Sequence, residues 1–127
     1  MKRQLHLTLF LLLFTLTLGF LCEYGGYRLS RDFQNDLLPI ARAIAEENWD
    51  RALMHAEALS FSWQEKRSLA QLWINHGDID QVSYSLIDLR AALIARDLSS
   101  ALSAYGQCSE NFGHLHHRDA FTLRNIL

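Results

Sequence analysis

A chain of 127 residues allows about one domain, and its single proline, six glycines and recurrent Ala, Leu, Arg, Glu and Asp favour helix over sheet. Beyond residue 22, ten Lys or Arg stand against fourteen Asp or Glu, a formal charge of −4 with no run of cations, which sets nucleic acid aside as a partner. Of the two cysteines, Cys22 lies in an apolar block and Cys108 is alone in the remainder, so no intrachain disulfide framework is expected.

The first element is that apolar block. Lys2 and Arg3 precede Leu5 to Cys22, a stretch interrupted only by His6, Thr8, Thr15 and Thr17. As a helix it spans ~27 Å, about the hydrocarbon thickness of a bilayer. Cations ahead of the span place the N-terminus in the cytoplasm and the rest of the chain outside, and Tyr24 and Tyr27 follow where amphipathic rings prefer the interface. Residues 1–22 therefore read as an uncleaved membrane anchor, with the bilayer as the partner of residues 5–22. The alternative is a cleaved or lipidated signal peptide. Thr17 and Gly19 are weak candidates for its small residues, and Phe20 and Leu21 are unlike what precedes a lipidated cysteine. Thr8, Thr15 and Gly19 also offer small or hydroxylated contact points to another membrane helix.

Residues 23–28 read as a juxtamembrane linker and 29–127 as an extracytoplasmic helical domain. Laid on itself at a shift of 49 residues, that domain repeats. Ala43, Ile44, Asn48, Trp49, Ala52, Leu53, Ala56, Leu59 and Trp63 fall on Ala92, Leu93, Asp97, Leu98, Ala101, Leu102, Tyr105, Cys108 and Phe112. Asn48 and Asp97 suit the N-cap, so each copy reads as helix, tight turn, helix. The apolar stripes follow helical spacing: Phe33, Leu37, Ile40, Ile44; Trp49, Ala52, Ala56, Leu59, Trp63, Ala70, Trp73; Ile79, Val82, Leu86, Leu89, Leu93; and Leu98, Ala101, Tyr105, Cys108, Phe112, Leu115. Pro39 predicts a kink in the first helix or a late start near Asn35 or Asp36. The second helix is expected over about 49–75, the longest of the four, with Gly77 as its stop and Asp78 capping the next. The expected fold is all-α: a transmembrane helix followed by a four-helix bundle made of two hairpins. The hairpins are like tetratricopeptide hairpins in packing only, because the period is too long and the glycine and tyrosine landmarks are incomplete.

Several features together carry a resemblance. These are the basic start and anchor, Asn48-Trp49 with Ala52, Trp63, the run Ile74-Asn75-His76-Gly77-Asp78-Ile79-Asp80, and the ending Thr122-Leu123-Arg124-Asn125-Ile126-Leu127. On these the chain resembles the domain-of-unknown-function 4363 family (DUF4363), short single-anchor proteins of Firmicutes bacteria. The resemblance implies a bacterial membrane protein of spore-forming relatives and supplies no activity, substrate or catalytic residue.

Four groups invite chemistry, and each has a structural account. His114, His116 and His117 with Asp119 could hold zinc, but they fall where the last helix should fray. His76 beside Asp78 and Asp80 could relay protons, yet a histidine at a helix stop can bond the last carbonyls and complement the dipole. Glu46, Glu47 and Asp50 are close in sequence, as an acid and base pair would be, but no nucleophile accompanies them. Trp49, Trp63 and Trp73 could form an aromatic recognition surface, although the first two lie on the buried stripe. Cys108 sits on a stripe as a small hydrophobe. No catalytic, cofactor or metal residue is assigned. The reading is a non-enzymatic interaction or accessory protein with a membrane or envelope protein as partner. The alternative is a small metal-binding or hydrolytic protein using the His-rich end.

Overall fold

Residues Lys2–Ala45 form one unbroken helix, α1. The computed structural model describes residues 1–72 and 74–126, with side chains as far as residue 115. The other helices are α2 (Trp49–Ala70), α3 (His76–Ala95) and α4 (Leu98–Ile126), and there is no strand among the described residues. The chain is all-α, as expected, with a long apolar N-terminal helix leading into a helical bundle.

The junction differs from a linker between two helices. Residues 23–28 are helical, so the apolar segment and the first bundle helix are a single element. Gly25 and Gly26 each cost about 1 kcal/mol relative to alanine inside a helix. They are spanned because a helix already nucleated on either side adds residues cheaply. Nor does the bundle part start late near Asn35 or Asp36 on account of Pro39. Its missing amide leaves the Asn35 carbonyl without a helical donor, but Asn35 and Pro39 both face solvent, where water can take that place. Leu37 and Ile40, on either side of the proline in sequence, are buried and hold the helix through it.

The stripes meet in a square. α1 packs on α2 and α4, and α3 packs on the same two. The core is made from the positions with helical spacing: Phe33, Leu37, Ile40 and Ile44 from α1, Ala52, Ala56, Leu59 and Trp63 from α2, Ile79, Val82, Leu86, Leu89 and Leu93 from α3, and Ala101, Cys108, Phe112 and Leu115 from α4. Trp49 and Tyr105 are half-buried at its edge and Leu98 is more exposed. Trp73 lies outside the described residues.

The 49-residue shift relates the two hairpin turns bond for bond. In the first, Glu47 N donates to Ile44 O at 2.9 Å and Asn48 N to Ala43 O at 2.9 Å. In the second, Arg96 N donates to Leu93 O at 3.2 Å and Asp97 N to Ala92 O at 3.4 Å. Glu47 and Arg96 both adopt the left-handed conformation, with φ of 52° and 55°. These are two copies of one helix-ending motif, in which paired amides satisfy carbonyls left open by the last turn. Asn48 then caps α2, its side chain accepting from Arg51 N at 3.2 Å. Asp97 precedes α4 in the equivalent place, but its carboxylate accepts from the Ser100 hydroxyl at 2.6 Å.

The connection between the hairpins corrects the expected boundaries. α2 ends at Ala70 and has 22 residues; α1, with 44, is the longest. Beyond the end of α2, Ile74 N still donates to Ala70 O at 2.9 Å, and Ile74 is buried in the core. Asn75 takes an extended conformation and caps α3, its side chain accepting from Gly77 N at 2.9 Å. Gly77 is therefore in the first turn of α3, with no left-handed geometry, and does not end α2.

Candidate interaction face

The tryptophans separate by burial. Trp63 is 1% exposed and stands edge-on to Phe33 and Phe112, at ring-centroid distances of 5.4 and 5.6 Å, while those two rings stack at 5.0 Å. Trp63 and Phe112 are repeat equivalents, so the two hairpins meet across the core through matching positions. The indole needs a partner when buried, and its Nε1 donates to Ser83 Oγ at 2.9 Å. Nearby, Ser30 Oγ donates to Phe112 O at 2.6 Å, tying α1 to α4 at this level. Trp63 is thus core, and Trp49 is half-buried against it.

The polar candidates do not converge. His76 opens α3 and is not at the end of α2, so it cannot serve the helix stop expected of it. Asp78 is buried in the first turn of α3, where a carboxylate complements the helix dipole, and Asp80 faces solvent. Glu46 pairs with Arg51 at 3.0 Å within the first hairpin turn, and Asp50 with Arg96 at 3.4 Å between the two turns, so these acids are engaged in exposed surface pairs. His114 lies 3.8 Å from Glu110, one helical turn away. As side chains, His116, His117 and Asp119 lie outside the described residues. Among the described residues, no three His, Cys, Asp or Glu side chains come together as a metal site.

Cys108 is fully buried and Cys22 is exposed; both are free. Burial pushes the Cys108 thiol up to about 11, and Asp88 adds to this, while a hydrogen bond with Ser85 opposes it. Tyr105 is raised as well, by burial first and then by Cys108. A neutral, enclosed thiol of this kind packs as a hydrophobe and is a poor nucleophile.

What the stripes did not disclose lies on the outside of the α2–α3 seam. A shallow cleft of about 140 Å³ there is floored by Trp63 and Leu86 and rimmed by Gln64, Arg67, Ile87 and Arg90. Arg90 crosses the seam to Glu57 at 3.2 Å. Around this ion pair Met54, Phe61, Ile87 and Ile94 are each about three-fifths exposed. The signal was present in the sequence. Tyr84, Ile87, Ala91 and Ile94 form a second stripe at steps of three and four, on the side of α3 opposite its core residues, and Met54 and Phe61 are seven apart on α2.

A family model described as Domain of unknown function (DUF4363) matches residues 27–126, beginning where α1 enters the bundle. No curated protein and no solved structure matches the chain.

Proposed function

We propose, for a chain that belongs to the DUF4363 family of domains of unknown function, a single-pass membrane protein of Firmicutes type whose helical domain stands on the outer face and works by contact, without turnover. One observation carries this reading: α1 is a single helix whose first half is apolar on every side and whose second half contributes a stripe to the bundle core. An all-round apolar helix suits lipid, and it is long and apolar enough to cross a membrane. Its polar groups fit that setting, since the hydroxyls of Thr8, Thr15 and Thr17 donate to carbonyls of the same helix at 2.7 to 3.0 Å. Lys2 and Arg3 before the span favour a cytoplasmic N-terminus.

A domain fixed to a membrane by a continuous helix sits at high local concentration beside other membrane and envelope proteins, so a weak contact is enough to be occupied. The test compares three chains in a bacterium lacking the gene: the native one, the bundle from Glu23 on a cleavable export signal, and the same bundle on an unrelated membrane helix. The first and third should restore function. Full rescue by the freely secreted bundle would overturn the reading in favour of a diffusible binder or enzyme.

A further inference from the structure

From the α2–α3 face we infer that the chain pairs with a second copy of itself, about a two-fold axis parallel to the bundle helices. Monomeric proteins rarely leave several large apolar side chains together around an ion pair without a partner. Here Met54 and Phe61 on α2, and Ile87 and Ile94 on α3, frame Glu57 and Arg90.

The heights decide the geometry. Glu57 meets Arg90, and Trp63 meets Ser83, so antiparallel α2 and α3 bring Phe61 level with Ile87 and Met54 level with Ile94. A two-fold axis along the bundle, lying over the seam, places α2 of one copy opposite α3 of the other without changing height. Phe61 then faces the second copy's Ile87, Met54 faces its Ile94, and Arg90 faces its Glu57. Every apolar group meets an apolar group and every charge meets its opposite. A two-fold axis across the helices inverts the heights and sets each helix against its own copy, bringing Glu57 near Glu57 and Arg90 near Arg90. Like charges so placed disfavour that arrangement. The stripe at steps of three and four on α3 is also the spacing by which one helix seats against another.

The axis that the charges select is the one that two membrane-anchored chains require, because it sends both copies of α1 into the same bilayer. To that extent the inference rests on the anchor reading, although the match of charges and heights does not.

The test uses the full chain in bacterial membranes, with Cys22→Ser in every version so that the exposed native thiol cannot react; Cys108 is enclosed and stays. Two differently tagged copies are co-expressed, one with Phe61→Cys and the other with Ile87→Cys, and treated with a mild oxidant. A disulfide joining the two tags is expected, and also with Met54→Cys against Ile94→Cys. Arg90→Glu should lower the yield roughly fivefold, and adding Glu57→Arg in the same chain should restore it. No link at either level-matched pair would overturn the dimer. A link between Met54→Cys and Phe61→Cys in its place would overturn the parallel axis. Extraction of the same membranes at high pH separates the two readings: a linked chain that washes off sinks the anchor and keeps the dimer, whereas an embedded chain with no link sinks the dimer and keeps the anchor.

Discussion

Leucines and phenylalanines are placed oppositely in the two halves of α1. Between Leu5 and Leu21 they are 51–70% exposed, whereas Phe33, Leu37, Ile40 and Ile44 are at most 1% exposed. The residue types are alike and the helix is the same, so composition and propensity do not separate the halves. Angle does. In the first half apolar groups point in every direction, and no single neighbouring helix could cover them. In the second, Phe33, Leu37, Ile40 and Ile44 keep to one side, which α2 and α4 cover, and Leu38 is left exposed. A helix can therefore change its surroundings midway by changing the angular spread of its apolar residues.

The largest test of this contrast sets a charge in each environment. Leu89→Asp puts an unpaired carboxylate at a fully buried position and should cost several kcal/mol, enough to unfold a small bundle. Asp88→Ala, one residue earlier and facing solvent, should change thermal stability little. Leu12→Asp should leave the melting of the bundle unchanged while weakening membrane insertion by about 3–4 kcal/mol, read as the fraction of chain released from membranes. If Leu12→Asp also lowers the melting temperature, the two halves are not independent in the way their exposures indicate.

The two cysteines sharpen the same contrast more gently. An unfolded Cys108 thiol ionises near 9.0, while burial holds the folded one up to about 11. Between those values the unfolded chain has released a proton that the folded chain keeps. Stability is thus full below about pH 9 and falls as pH rises towards 11, by roughly 2–3 kcal/mol. Denaturant titrations at pH 8 and 10.5 should show about two-thirds of that loss in the native chain. Cys108→Ala, though less stable at both, should lose less between them; the smaller remaining slope belongs in part to Tyr105, which is raised in the same direction.

The smallest effect probes the repeat. Asn48→Ala removes a side-chain acceptor from the first turn of α2 and should cost about 1 kcal/mol. Asp97→Ala, its equivalent, should cost less, because that carboxylate is bonded to Ser100. Equal losses in chemical denaturation would show that the two turns are capped alike.

Much of this architecture was legible because it is periodic. The four stripes and the 49-residue shift follow from burial at intervals of three and four, and the core uses those residues. Boundaries were less legible where competing signals are close in energy. Gly25-Gly26 and Pro39 argue locally for a break, but the glycines cost only about 1 kcal/mol each in a helix already nucleated on either side, and the proline only a few kcal/mol between the buried Leu37 and Ile40. His76-Gly77 looks like a helix end, yet Asn75 caps α3 and makes both residues part of its first turn. The seam face is illegible for another reason: the spacing of a second stripe on the side of α3 opposite its core does not distinguish an interface from ordinary surface.

The claim on which the rest depends is that one helix joins the apolar N-terminal segment to the bundle. Amide hydrogen exchange on the full chain in a lipid nanodisc measures it directly, residue by residue. Unbroken protection from Phe20 through Phe33, with Gly25 and Gly26 slower than an unstructured chain, is the expected result. Free exchange over residues 23–28 between two protected stretches would contradict it, and would make the junction a flexible tether between the apolar helix and a separate bundle.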